Sequence, residues 1–343
     1  MPTHKNSHDA KALILEIQRM STEDGPGIRT TVFFKGCGLR CDWCHNPESI
    51  SSKMQIQWIG SRCIGCGTCV DSCQNGALAI TDKGMQRKTD RCEMCARCTD
   101  VCPSTAMERI GKEWRLPDLV HEVLKDKAYY DTSEGGVTVS GGDPLLQYLF
   151  VKDFLKRLLS KGIHTAIDTC GLCNREVLAA VLPYTDMVLY DLKLADLENH
   201  RRYTGVSNER ILANLAYVRE YMQSHIRPSR IWVRTPIIPG ATATAENIDG
   251  IGRLIHRILG SRVNRWELCA FNNLCRDKYL RLDMDWKFRD CQPMTKEAME
   301  EFADIARNSG VDPEVVHWSG ATKTTDDADK GEKDSAPEPV ARG

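Results

Sequence analysis

Two copies of one cysteine pattern lie between Cys63 and Cys102. CIGCGTCVDSC places Cys63, Cys66, Cys69 and Cys73 at intervals of x2, x2 and x3. CEMCARCTDVC repeats the spacing with Cys92, Cys95, Cys98 and Cys102, so that Cys92 answers Cys63 and Cys102 answers Cys73. A third group, Cys37, Cys41 and Cys44, precedes them as C-x3-C-x2-C in FFKGCGLRCDWCHNPES. Eleven of the 16 cysteines therefore fall into three tight groups. The chain carries no export pattern at its start, so a cytoplasmic location is expected, where disulfides are disfavoured. Metal clusters explain such grouping better than bridges do.

The upstream group can hold three corners of a [4Fe-4S] cube and leave the fourth iron open to an exchangeable ligand, as a catalytic cluster requires. Three other readings compete. Cys41 to His45 matches the C-x-x-C-H haem attachment pattern. The thiols could hold zinc with a distant fourth ligand. The segment could also be a plain structural loop. Trp43 and His45 are expected to pack beside the first cluster, with plain loop packing as the competing reading.

The paired runs resemble the bacterial two-cluster ferredoxin module, with Pro103 after the second run and Gln74 in place of proline after the first. In that module the fourth cysteine of each run serves the other cluster. The resemblance assigns Cys63, Cys66, Cys69 and Cys102 to one cluster and Cys92, Cys95, Cys98 and Cys73 to the second; structural zinc is the competing reading. The small residues Gly65, Gly67 and Ala96 are expected to let the backbone wrap the cubes.

Elsewhere the 343-residue chain alternates strand and helix. Strands are expected at Thr30–Phe34, Gly136–Ser140, Ile163–Thr169, Met187–Leu192, Ile231–Ile238, Arg265–Phe271 and Val315–Trp318. Helices are expected at Pro117–Lys127, Leu149–Ser160, Arg175–Leu182, Glu209–Met222, Ala245–Leu259 and Lys296–Asn308. That order argues for parallel strands with crossover helices. Residues 1–12 and the polar stretch from Gly320 read as loose ends. Forty-six basic and 47 acidic residues nearly cancel, which gives no electrostatic case for nucleic acid. No run is long and apolar enough for a membrane span.

Taken together, DGPGIRTTVFFKGC, the three cysteine groups and several strand-end motifs resemble the radical S-adenosylmethionine superfamily. Within it they resemble glycyl-radical-enzyme activating enzymes that carry a ferredoxin-like insert. The resemblance covers roughly residues 13 to 318. It implies an α/β fold, a partial (β/α)6 TIM-like barrel with an inserted ferredoxin-like α+β domain. The ranges are 13–55 and 109–319 for the barrel, 56–108 for the insert and 320–343 for a disordered tail. It implies three [4Fe-4S] clusters, an anaerobic setting, and S-adenosylmethionine bound at the open iron of the Cys37, Cys41 and Cys44 cluster. One electron cleaves the sulfonium, and the 5'-deoxyadenosyl radical takes a hydrogen from a backbone glycine of a large partner. A flavodoxin or ferredoxin is the implied electron donor.

The resemblance also assigns residues. Ser140-Gly141-Gly142-Asp143-Pro144 matches the cradle of the methionyl amine, with Asp143 where relatives have glutamate. Asp168 matches an acidic strand end near the ribose or a bound monovalent cation, and Asp191, with Lys193, matches the next one. A helix cap or surface turn is the plainer reading of either acid. Arg234 matches an arginine near the cofactor, although it could instead pair with a strand-end aspartate. Asn272 stands where relatives often have histidine, and so is expected to line the site rather than act as a base. Cys170, Cys173, Cys269, Cys275 and Cys291 lack ligand spacing and read as small hydrophobes. The stretch WELCAFNNLC resembles the group that serves hydrocarbon-adding enzymes. Two other functions stay open: a radical enzyme acting on a small molecule or peptide without such a partner, and a multi-cluster electron carrier.

Overall fold

The computed structural model describes residues 10–82, 84–88 and 90–323. The chain opens with β1 (Lys11–Ser21), paired antiparallel with β2 (Arg29–Phe34). The cysteine-rich insert follows: β3 (Gln55–Trp58), α1 (Thr68–Asp71), β4 (Leu78–Thr81), β5 (Gly84–Arg87), α2 (Arg97–Asp100) and β6 (Met107–Ile110). Next come β7 (Lys112–Arg115), α3 (Leu116–Leu124), α4 (Lys127–Ser133), β8 (Gly136–Gly141), α5 (Tyr148–Leu159), β9 (His164–Thr169), α6 (Arg175–Val181) and β10 (Met187–Asp191). The remainder is α7 (Leu197–Thr204), α8 (Glu209–Ser224), β11 (Arg230–Ile237), α9 (Ala245–Leu259), β12 (Arg265–Ala270), α10 (Arg276–Arg281), α11 (Lys296–Arg307) and β13 (Val316–Ser319).

Among the described residues nine strands form one sheet in the order β13-β12-β11-β10-β9-β8-β2-β1-β7. Every pairing from β2 to β13 is parallel, whereas β1 pairs antiparallel with both β2 and β7. Among the described residues β7 and β13 do not pair with each other, so the barrel stays open. The parallel strands are rich in Val and Ile because both faces are covered; Val137, Val139, Ile231 and Val233 are fully buried. Helices α3, α5, α6, α8, α9 and α11 pack as successive neighbours. In α5 the apolar positions Phe150, Val151, Phe154, Leu155 and Leu158 recur at helical spacing and are buried.

The structure departs from the sequence reading at the start. Lys11 and Ala12 belong to a strand rather than a loose end, and residues 1–9 lie outside the described residues. The apolar run after Ala12 is a strand whose outer half carries Glu16, Gln18 and Arg19, which masks its alternation. The helix expected over Pro117–Lys127 is α3, which ends at Leu124, and a second helix not expected from the sequence, α4, starts at Lys127. The polar tail from residue 324 lies outside the described residues.

The insert keeps its internal repeat to the residue. α1 and α2 are offset by the same step that carries Cys63 to Cys92. So are three pairs of left-handed positions: Gly65 and Met94, Gly67 and Ala96, Gly76 and Thr105. A Cβ on Gly65, Gly67 or Gly76 would meet nothing within 4 Å, so conformation rather than space favours glycine there. The second copy adopts the same turns with Met94, Ala96 and Thr105 at φ of 55° to 61°, at some steric cost. β3 pairs with β6 from Gln55↔Ile110 to Trp58↔Met107. Gly111 alone separates β6 from β7 of the main sheet.

Candidate active site

The parallel strands all end on one side of the sheet, where loops converge on a cavity of about 630 Å³. The loop after β2 carries Cys37, Cys41 and Cys44, and all three line the cavity. The loop is pinned along its length. Gly36 N donates to Ser49 O at 2.6 Å, Cys37 N to Ile50 O at 3.1 Å and Arg40 N to Thr204 O at 2.8 Å. Burial pushes each of the three thiols up to about 12, so a proton leaves them readily only in exchange for a metal.

A segment following β12 straps this loop down, a packing role that the sequence does not announce. Tyr279 Oη donates to Cys44 O at 2.8 Å, Lys278 pairs with Glu48 at 2.6 Å, and Lys287 pairs with Asp42 at 2.7 Å. Phe271, Tyr279, Trp286 and Phe288 form one buried apolar cluster with Trp43. Tyr279 stacks on Trp286 with centroids 5.0 Å apart, and Phe271 meets the His45 ring at 5.8 Å. The aromatics are visible in the sequence, but their irregular spacing matches neither helix nor strand. Asn272 lines the cavity, and its Oδ1 accepts from Leu274 N.

Across the cavity, Asp168 near the end of β9, Asp191 at the end of β10 and Arg234 on β11 come together with Lys193. Lys193 Nζ lies 2.7 Å from Asp191, and the nearby Asp191 and Cys41 raise its pKa against the effect of burial. Arg234 Nη1 lies 3.4 Å from Asp168 and 3.6 Å from Asp24, and among the described residues that atom makes no hydrogen bond. Ser140 Oγ donates to Asp168 Oδ2 at 2.6 Å, while Asp168 Oδ1 is buried with no partner among the described residues. Burial pushes the Asp168 carboxyl above its ordinary range, against the pull of Arg234. The sequence reading does not single out Asp24. It sits in the β1–β2 turn, lines the cavity, and is held by the hydroxyls of Ser21 and Thr31 at 2.6 and 2.7 Å. The DGPG turn is its only signal.

Gly141 and Gly142 also line the cavity. A Cβ on Gly141 would come within 2.3 Å of Phe34 O, and one on Gly142 within 2.2 Å of Gly36 O. The close approach these glycines allow is to β2 and the cysteine loop. Asp143, by contrast, does not line the cavity. Its carboxylate is buried and accepts from Leu145 N (3.0 Å), Thr169 Oγ1 (2.9 Å), Cys170 N (3.2 Å) and Cys170 Sγ (3.0 Å). The short side chain is taken up by its own turn and by the start of the next loop. Cys170 and Cys269 both line the cavity, whereas Cys275 packs in the aromatic cluster with Cys291 at its edge. Cys173 packs against the main core.

In the insert, Cys63, Cys66, Cys69 and Cys102 line one small cavity. Burial disfavours the Cys98 thiolate, and Cys92, Cys95, Cys69 and Cys73 all lie close enough to add to that effect. Among the described residues no three His, Cys, Asp or Glu side chains converge to hold a single ion. Thiols spread around a space suit a cube, in which each sulfur binds a different iron. The unpaired Asp168 Oδ1 and Arg234 Nη1 in the main cavity suit a ligand bearing both donors and a carboxylate.

Two family models match the chain. Residues 86–248 match the Radical SAM superfamily model, and residues 62–106 match the 4Fe-4S dicluster domain. The chain is 36% identical to the trans-4-hydroxy-L-proline dehydratase activating enzyme of Clostridioides difficile, over 88% of this chain and 98% of that one. It is 38% identical to the indoleacetate decarboxylase activating enzyme of Tractidigestivibacter scatoligenes, over 88% and 96%. A crystal structure of a domain of pyruvate-formate lyase-activating enzyme from Bacteroides vulgatus overlaps 54% of this chain and 99% of that domain, with a TM-score of 0.44 and 27% identity. The chain belongs to the radical SAM superfamily, as an oxidoreductase with a 4Fe-4S dicluster insert, and is homologous to several glycyl-radical-enzyme activating enzymes. Among the described residues no helix is long and apolar enough to cross a membrane.

Proposed function

We propose that this enzyme installs a radical on a backbone glycine of a large partner enzyme. The carrying observation is that three thiols and the unpaired polar atoms of Asp168 and Arg234 share one cavity at the open side of the barrel. When bound, a [4Fe-4S] cluster supplies the electron that cleaves S-adenosylmethionine, and the 5'-deoxyadenosyl radical so released takes the glycine hydrogen.

The chain's own residues would divide the work. Cys37, Cys41 and Cys44 hold three irons. Arg234 offers its free N–H to a carboxylate, and Asp168 offers its free oxygen to a ribose hydroxyl or, with Asp191, to a monovalent cation. Lys193 balances the negative charge of Asp191 and the thiolates. Gly141 and Gly142 set the strand-end wall against the cysteine loop, and Asp143 positions that wall through Thr169 and Cys170. Asn272 lines the site beneath the aromatic strap, which keeps water from a reactive alkyl radical. The ranges 13–55 and 109–319 would form the barrel and 56–108 the insert, whose two clusters receive electrons from a flavodoxin or ferredoxin. The relatives' names cover partners of unlike chemistry, so the shared target is the glycine rather than any one substrate. A cytoplasmic, anaerobic setting fits such clusters.

The test uses anaerobically reconstituted full chain with S-adenosylmethionine, dithionite and a glycyl radical enzyme from the same organism. Formation of 5'-deoxyadenosine together with a glycyl radical signal on the partner supports the reading. Cleavage with a modified small molecule and no partner radical overturns it in favour of the small-molecule alternative. A cluster spectrum indifferent to S-adenosylmethionine leaves an electron carrier.

A further inference from the structure

The insert's repeat supplies an internal control, because each position in one half has a counterpart in the other, at the step that carries Cys63 to Cys92. Backbone amides reach the fourth cysteine in each half, though not at matched positions: Ala77 N lies 3.3 Å from Cys73 Sγ, and Met107 N, the counterpart of Leu78 rather than of Ala77, lies 3.4 Å from Cys102 Sγ, which the amides of Ala106 and Ser104 also approach. The hydroxyls break the symmetry. Thr68 Oγ1 donates to Cys66 Sγ at 3.4 Å, and Ser104 Oγ lies 3.7 Å from Cys102 Sγ. Their counterparts are Arg97 and Asn75. Among the described residues no hydroxyl hydrogen-bonds to Cys92, Cys95, Cys98 or Cys73. Both hydroxyls fall on the set Cys63, Cys66, Cys69 and Cys102.

We infer that the two insert clusters differ in reduction potential, that the Cys63, Cys66, Cys69 and Cys102 cluster is the more positive, and that Thr68 and Ser104 set the difference. This rests on the reading that the insert holds two cubes. Reduction adds negative charge to a cube, and donors aimed at its sulfurs stabilise that charge, which raises the potential. Solvent exposure does not cancel the effect, because it is matched across the halves: Cys66 and Cys95 are exposed, and Cys69 and Cys98 are buried. The charges beside the second set, Arg91, Glu93 and Arg97, are exposed and of both signs, so water and salt screen them. In the singly reduced insert the electron therefore rests on the first set.

The test is a potentiometric titration of the reconstituted full chain followed by electron paramagnetic resonance, with iron and sulfide counted first. The catalytic cluster is recognised by its response to S-adenosylmethionine. The wild type should show two insert signals with separate midpoints. Thr68→Val and Ser104→Ala should each move the higher one to more negative potential, and the double variant further, while the lower one stays fixed. Thr68→Ser should hold the wild-type value, which a merely structural role for the methyl group would not. A fully loaded double variant with an unmoved higher midpoint, or a shift in the lower signal instead, overturns the inference. An insert that binds no iron is a separate failure, seen in the metal count before any potential is read, and removes both the cluster reading and this ordering.

Discussion

Replacing Asp143 with alanine should damage the protein's stability before it damages cofactor contact. The carboxylate is buried at 3% exposure and accepts from four donors: two backbone amides, one hydroxyl and one thiol. The Thr169 hydroxyl and the Cys170 thiol can rotate toward other acceptors. The amides of Leu145 and Cys170 cannot. A buried donor left without a partner costs about 1 to 3 kcal/mol, so two orphaned amides set an expected loss of about 2 to 6 kcal/mol. Asp143→Asn keeps the shape but turns an NH2 toward at least one of those donors, and should fall between wild type and alanine. The assay pairs denaturant unfolding of the anaerobic full chain with S-adenosylmethionine titration of whatever fraction remains folded. The Cys170 loop should loosen with the substitution, weakening cofactor binding as a consequence of lost stability. An Asp143→Ala protein as stable as wild type that has nonetheless lost S-adenosylmethionine binding would refute the argument and return the carboxylate to direct contact.

Reconstituted protein should bind about twelve irons in three cubes, and Cys98→Ser should lose one insert cluster while the cluster at Cys37, Cys41 and Cys44 persists; iron analysis with Mössbauer spectroscopy checks both. Cys41→Ala should abolish 5'-deoxyadenosine formation even in excess dithionite, whereas Cys66→Ala should slow activation by a protein donor and regain part of it with dithionite. Burial raises the Asp168 pKa. Its carboxylate should therefore protonate at higher pH than an ordinary aspartate, and cofactor binding should weaken as pH falls into that window. In Asp168→Asn the affinity should be lower at neutral pH and lose that acid-side dependence, as read by equilibrium binding from pH 5 to 8.

Much of the architecture is legible in the chain because local signals agree with global ones. Runs such as GVTVS and MVLYDL are β-branched and apolar, as strands buried on both faces must be, and the strands fall within a residue or two of those runs. β1 escapes such a reading because half of it faces solvent at the sheet's edge region, where Glu16 and Arg19 dilute the pattern. In the site, the strand-end residues Asp168, Asp191 and Arg234 converge because parallel strands in register bring their ends together: Asp191 sits beside Arg234. What the chain does not reveal is direction. Asp143 and Gly142 are adjacent in sequence, yet Gly142 lines the cavity and Asp143 caps the turn behind it, a choice made by Thr169 and Cys170, 26 and 27 residues away. The aromatic strap is equally opaque, since its packing against Trp43 joins the first cysteine loop to a segment near the far end of the barrel.

The pairing of β3 with β6 has an evolutionary consequence. Gln57 faces Glu108 across an antiparallel ladder, so the insert's two ends are neighbours separated by the width of a strand pair, about 5 Å. A tight turn could join them. Such a module is joined to its host as a cassette is, at two neighbouring points, so that its removal asks the host fold only to close a hairpin. Lineages could then trade electron wiring without rebuilding the radical chemistry. An engineered deletion bridged at Gln57 and Glu108 would leave β7 still laid against β1 in the remaining barrel.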